Sequence, residues 1–99
     1  MRLIDIAHAR AGDKGNIVTL SLIARRHEDF PLLEQHVTAD RVAQHFGEIL
    51  DGRVIRYELA QLGALNFVLR RKRQYSVTRS LALDTHGKCL SSALLAMEL

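Results

Sequence analysis

Residues 7–24 read AHARAGDKGNIVTLSLIA, in which two apolar segments flank a short run of glycine, charged and amide residues. Residues 2–9 alternate with period two, which predicts a β-strand, and His8 falls on its more apolar face, which we expect to be buried. Glycine tolerates positive φ, so residues 11–16 are predicted to form a turn. The stretch therefore predicts a hairpin-like pair of elements with a polar connection between them.

The second element of this pair, residues 17–24, has two interpretations. Its apolar residues alternate with polar ones as in a strand, whereas Ile17, Leu20 and Ala24 could also form one helical stripe. β-branched residues are frequent here and favour the strand.

The middle of the chain predicts a connection, a helix and a strand. Residues 25–36 are polar and hold the only proline, so they are predicted to be a surface connection. Thr38 can cap a helix that ends at Gly52, a residue suited to a left-handed C-terminal cap. Residues 53–59 alternate and predict a half-buried strand. The helix would bury Val42, Phe46, Ile49 and Leu50, and the strand has Ile55, Tyr57 and Leu59 on one face.

The last third predicts a short helix through residues 65–69, a strand over residues 76–84 and a final helix. Arg79 shares the apolar face of that strand, so it must be paired within the chain, exposed at a sheet edge or bound to an anion. The final helix carries Leu90, Ala93, Leu94 and Met97 at core spacing.

These elements predict one α+β domain over residues 1–99, a two-layer sandwich of about four mainly antiparallel strands with two or three helices on one face. No repeat or linker divides the chain. The uncovered sheet could pair with another chain, so a homodimer is one expected assembly.

Composition narrows the class of protein. The single cysteine, Cys89, excludes an internal disulfide, and no apolar run approaches the ~20 residues that span a bilayer. Without a secretory signal, we expect a cytoplasmic protein with no membrane contact. The net charge is +3, and residues 70–73 read Arg-Arg-Lys-Arg. A basic run can bind nucleic acid, but no recognised motif accompanies it, so we expect a solvated segment instead.

The polar connection is the candidate site. His8 and Asp13 are the candidate acid or base, although a structural histidine would suit the same position. Lys14 beside two glycines suits a carboxylate or phosphate. The spacing is not that of a P-loop, the dinucleotide fingerprint is absent, and the histidines lack metal-ligand spacing. No metal or cofactor is therefore expected.

Five segments of the sequence form a recognisable set of motifs: residues 7–16 (AHARAGDKGN), 23–25 (IAR), 56–59 (RYEL), 62–69 (LGALNFVL) and the Thr-Arg-Ser segment that begins at Thr78. Together they resemble a known family, the small ferredoxin-fold domain of acyclic terpene utilisation (AtuA-like) proteins. The resemblance covers nearly the whole chain and implies a ferredoxin-like fold, a larger AtuA-type partner chain and a place in acyl-CoA or terpenoid catabolism. It implies no defined reaction. The family has a glycine-rich stretch where this chain has residues 70–75, so ligand contacts from that stretch are not expected here.

The leading hypothesis is an accessory domain or subunit that helps to form a site for an anionic, acyl-CoA-like ligand at one end of the sheet. A stand-alone hydro-lyase or hydrolase using His8 or Asp13 is the first alternative, and a nucleic-acid-binding module using residues 70–73 is the second. The residues predicted to bind the ligand are Arg10, Asp13, Lys14, Asn16, Asn66, Arg79 and Ser80.

Overall fold

Two hairpins supply the strands of the sheet. A computed structural model describes residues 1–72 and 88–99. In this part of the chain the strands are β1 (Ala7–Lys14), β2 (Ile17–Ala24), β3 (Ile55–Leu59) and β4 (Ala64–Arg70). They lie in the order β1-β2-β4-β3, and every neighbouring pair is antiparallel. The prediction over residues 76–84 lies outside the described residues.

Helices cover one face of this sheet. They are α1 (Phe30–His36), α2 (Ala39–Phe46) and α3 (Lys88–Leu95). α1 packs on β2 and β4, and α3 packs on β1. The result is the predicted α+β sandwich with an antiparallel sheet and helices on one side. None of the helices in the described part is long and apolar enough to cross a membrane.

The core lies between the central strands and the helices. Leu20 of β2 stands opposite Phe67 of β4, and both side chains are fully buried. The paired residues two positions away along β2 and β4 are buried in the same way, because residues two apart on a strand share a face. The same core takes in side chains from all three helices, namely Phe30, Leu33, Val42, Phe46, Leu90 and Leu94.

The structure selects the strand for residues 17–24, but it corrects the short helix predicted through residues 65–69. That segment is β4, with Leu65, Phe67 and Leu69 buried against the helices. The misleading signal was Val68, which lies on the opposite face of the strand yet completes a helical spacing with its neighbours. Burial of the alternate residues outweighs that spacing.

A second correction concerns residues 25–36, which do not form an irregular connection. They contain α1, whose Phe30 and Leu33 enter the core. Pro31 lies in the first turn, where its missing N–H has no intrahelical acceptor to satisfy. The proline therefore marks the start of a helix here.

The predicted N-terminal cap of α2 is confirmed, whereas its predicted C-terminal cap is wrong. The Thr38 hydroxyl accepts a hydrogen bond from the Arg41 backbone N–H at 3.1 Å, as an N-cap does. The helix ends at Phe46, however, where Gly47 adopts a φ of 23°. Gly52 is therefore not its C-terminal cap.

The faces of the two outer strands were predicted wrongly. In β1 the small residues Ala7, Ala9 and Ala11 face the helices, and His8 is exposed on the opposite face. In β3 the apolar residues face solvent, while Arg56 lies on the helix side. One Arg56 nitrogen donates to the carbonyls of Glu34 and Val37, at 2.8 and 2.9 Å, and so satisfies the C-terminal end of α1.

A leucine-to-alanine substitution should lower the free energy of unfolding much more on the helix side of the sheet than on its exposed side. Leu65→Ala opens a cavity in the core and should destabilise the fold by about 2–5 kcal/mol. Leu59→Ala, on the exposed face, should change the free energy of unfolding by less than about 1 kcal/mol. Denaturant unfolding of both variants tests this, and equal losses would contradict the assignment of the faces.

A carboxyl pair beside Arg56 gives the fold a pH dependence. The side-chain hydrogen bond that protonated Glu34 donates to the Glu58 carboxylate, and then the charge of Glu58, raise the pKa of Glu34 above its ordinary value of 4.5. A raised pKa in the folded state means that stability is present below pH 4.5 and is lost as the pH rises through the folded-state pKa. Glu34→Gln should therefore reduce the fall in the free energy of unfolding as the pH rises above 4.5, and denaturant unfolding at a series of pH values measures this. Glu28→Gln is the control, and an identical pH profile in the two variants would contradict the coupling.

Candidate functional site

One ion pair fixes the end of the sheet where the first hairpin turns. An Arg71 nitrogen donates to a carboxylate oxygen of Asp13 at 2.5 Å and to the Gly15 carbonyl at 3.3 Å. The Arg71 backbone N–H also donates to the Asn16 carbonyl at 2.6 Å. The Arg71 side chain is only 1% exposed, against 27% for Asp13. The hairpin turn is thus tied to the end of β4 by a guanidinium that needs its carboxylate.

This pair changes the interpretation of the basic run at residues 70–73. Arg70 is exposed, Arg71 is buried and Lys72 is half-buried. The Lys72 backbone donates to the Ile49 carbonyl at 2.8 Å, which holds this segment against the loop before β3. Residues 70–72 therefore do not present one continuous cationic surface of the kind that follows a phosphate backbone.

We call the side of the sheet opposite the helices the open face. Its central row runs across all four strands as Arg10, Ser21, Asn66 and Tyr57. The Ser21 hydroxyl donates to the Asn66 side-chain oxygen at 3.0 Å. That bond orients the Asn66 amide, whose N–H donors form no further bond within the described residues. The row therefore presents an arginine and oriented polar groups to solvent.

Apolar side chains surround the polar row on the β3 side. Leu59 is 43% exposed and Tyr57 52%, although both belong to a strand. Further large apolar side chains that remain exposed on this side or in the adjoining turn are Ile17, Ile55 and Leu62. Exposed apolar groups next to oriented polar groups are typical of a binding surface.

The open face is also one-sided in charge. None of its strand positions in the described sheet carries a carboxylate, whereas it holds Arg10, Lys14 and Arg70. Asp13 and Glu58, the acidic residues of these strands, lie on the helix side. The potential of this face is therefore positive.

The structure gathers some of the predicted site residues and separates others. Asp13, Lys14 and Asn16 lie together at the first hairpin. Asn66 shares the open face with Lys14 but lies four residues along β4 from the row of Lys14, a distance of about 13 Å. Asp13 points to the other side of the sheet. His8 and Arg10 are exposed on the open face, and Arg79 and Ser80 lie outside the described residues.

Two adjoining clefts at the hairpin end were not predicted. One, of about 400 Å³, is lined by Lys14, Asn16, Ile17, Asp51, Arg70 and Arg71. The other, of about 390 Å³, shares Ile17, Asp51 and Arg70 and adds Arg53 and Ile55. Only the register of β4 brings Arg70 beside Lys14, and the sequence pattern did not predict β4 as a strand.

Other candidate chemistry has structural explanations or is not formed. His27 and His45 bond to backbone carbonyls of Ala60 and Ala93, at 3.1 and 2.6 Å. Across residues 1–72 and 88–99, no three histidine, cysteine or acidic side chains lie close enough to hold a metal ion.

An antiparallel α+β sandwich with helices on one side of the sheet defines a ferredoxin-like domain. The family model of the AtuA ferredoxin-like domain matches residues 1–99, the whole chain, and the protein belongs to this family. No curated protein and no solved structure matches it.

The buried ion pair gives a direct test of how the hairpin end is held. Asp13→Asn removes the charge that compensates Arg71 and should destabilise the fold by about 1–2 kcal/mol, since Asp13 keeps some solvent contact. Asp51→Asn removes the same charge from an exposed neighbour and should have little effect. Chemical denaturation compares the two, and equal losses would contradict a structural role for Asp13.

Proposed function

We propose that this protein is a cytoplasmic accessory domain or subunit whose open face helps to form the site of an anionic, acyl-CoA-like ligand together with a larger AtuA-type chain. The observation that carries the proposal is the carboxylate-free open face, where the row from Arg10 to Tyr57 lies beside exposed apolar side chains. Cations on a sheet face whose own strand positions hold no carboxylate attract an anion, and the apolar side chains supply contact area for a partner chain.

A second chain follows from where the polar row lies. Ligand sites generally enclose most of the ligand surface. Arg10 is exposed and Asn66 is only half-buried on a sheet face that none of the described residues covers, so neither lies in a closed pocket formed by residues 1–72 and 88–99. A partner that covers the open face would enclose the row and strengthen its electrostatic contacts by excluding water.

The geometry gives less support to the two other hypotheses. A stand-alone hydro-lyase or hydrolase needs a free base, but the Asp13 carboxylate already binds Arg71, and His8 stands exposed on the open face. A nucleic-acid module would need residues 70–73 to form one cationic surface, and Arg71 is buried. An accessory role needs only the exposed cations, polar groups and apolar side chains that the open face presents.

The test is retrieval of the tagged whole chain from cells that express it natively. We expect a larger chain to co-purify with the wild type, and Tyr57→Asp to lose it because a carboxylate then lies in the apolar part of the open face. The matched control is Gln44→Asp, which adds the same charge to an exposed position of α2 and should retain the partner.

Calorimetry with an acyl-CoA then compares the complex with the chain alone. The proposal expects saturable binding to the complex and weaker or no binding to the chain alone. It would be overturned by equal loss of the partner in both variants, by equally tight ligand binding without a partner, or by a chain that binds neither.

A further inference from the structure

We propose that the two clefts at the hairpin end form one site for a diphosphate group, held by Lys14, Arg70 and Arg53. The inference rests on the proposed function to the extent that Lys14 belongs to its ligand set. It goes further because it names the chemical class of the anionic group and two residues, Arg53 and Arg70, that the proposed function does not use as ligands.

The register places the first two cations side by side. Lys14 pairs with Ile17, and Ile17 pairs with Arg70, so the two cations flank Ile17 on one face of the sheet. Two strand spacings separate their backbones by about 10 Å. Flexible side chains of this length can reach a common anion from both sides. Both residues line the cleft of about 400 Å³.

The third cation enters from the adjoining cleft. Arg53 lines the cleft of about 390 Å³, which shares Arg70, Ile17 and Asp51 with the first. Ion pairs within 4 Å in the described part of the chain include none of Lys14, Arg53 and Arg70. Arg71 is different, because Asp13 already neutralises it. Three cations with no ion pair in the described part of the chain therefore line two adjoining clefts that share three residues.

The charge balance selects the class of anion. Asp51 is the one carboxylate among the described residues that line these two clefts, so the three cations leave an excess of two positive charges there. A single carboxylate would neutralise only half of that excess. A diphosphate carries enough charge and spans more than one cation, and arginine binds phosphate oxygens through paired N–H donors. Ile17, Ile55 and Val68 give the second cleft an apolar wall, which suits an organic substituent on the diphosphate.

Titration of the isolated whole chain with inorganic pyrophosphate tests the site, with phosphate and acetate as comparison anions. We expect the affinity to fall in the order pyrophosphate, phosphate, acetate. Amide NMR signals of residues 14–17, 51–53 and 70–71 should shift on binding. If binding does not saturate at pyrophosphate concentrations up to about 10 mM, the dissociation constant is too weak for a specific site and the proposal is overturned.

Variants separate a built site from general attraction by a basic protein. Lys14→Ala and Arg70→Ala should each weaken pyrophosphate binding about fivefold, since each loses a charge-assisted contact. Arg26→Ala removes an equal charge from a highly exposed side chain at a distant turn and should change the affinity less than about twofold. Asp51→Asn removes the opposing carboxylate and should tighten binding about threefold. Equal losses of affinity in Arg70→Ala and Arg26→Ala would contradict the site, and so would weaker binding after Asp51→Asn.

Circular dichroism of each variant establishes that the fold is retained. The outcome is also separable from that of the proposed function. Pyrophosphate binding is measured without a partner, so its failure leaves partner retrieval by the open face unaffected. Loss of the partner in wild type likewise leaves the pyrophosphate titration unaffected.

Discussion

The antiparallel pairing of β2 with β4 is the constraint on which the rest of the structure depends. Both strands are central, and their buried residues face the same helices, so a slip of one strand by one residue would turn its buried residues, such as Leu20 of β2, to the opposite face. The register therefore fixes which side of the sheet every other strand residue takes. It also places Ser21 opposite Asn66 and Ile17 opposite Arg70, so it builds the polar row and the basic clefts as well.

The sequence predicted the layers of the fold better than its faces. Alternation identified β3, the frequent β-branched residues favoured a strand for β2, and Thr38 identified the start of α2. The face of β3 was wrong because its apolar residues were assumed to be buried, whereas Arg56 is needed on the helix side to bind the end of α1. That requirement is tertiary, since it depends on where α1 ends in space. Local periodicity carries no information about it.

The candidate site was predictable in part for the same reason. Glycines and charges marked the first hairpin as polar, but the predicted turn over residues 11–16 is only Gly15 and Asn16 in the structure, because residues 11–14 continue β1. The partner of Asp13 was not predictable, because Arg71 is 58 residues away in the chain and appeared only as one member of a basic run. Contacts between distant segments follow from strand order, and the strand that carries this contact had been predicted as a helix. Because β4 was predicted as a helix, the positions of Arg70 and Arg71 beside the first hairpin were not predicted.

The distribution of charge between the two faces has a physical cause and a consequence. On the helix side each strand carboxylate lies near an arginine, Asp13 near Arg71 and Glu58 near Arg56, because ions there are partly removed from water and need a partner. The cations of the open face keep their hydration instead. Any surface that covers them must replace that hydration with negative charge, or the desolvation is unfavourable. The apolar side chains of β3 therefore offer contact area of no particular charge, while the cations of this face favour an anionic surface.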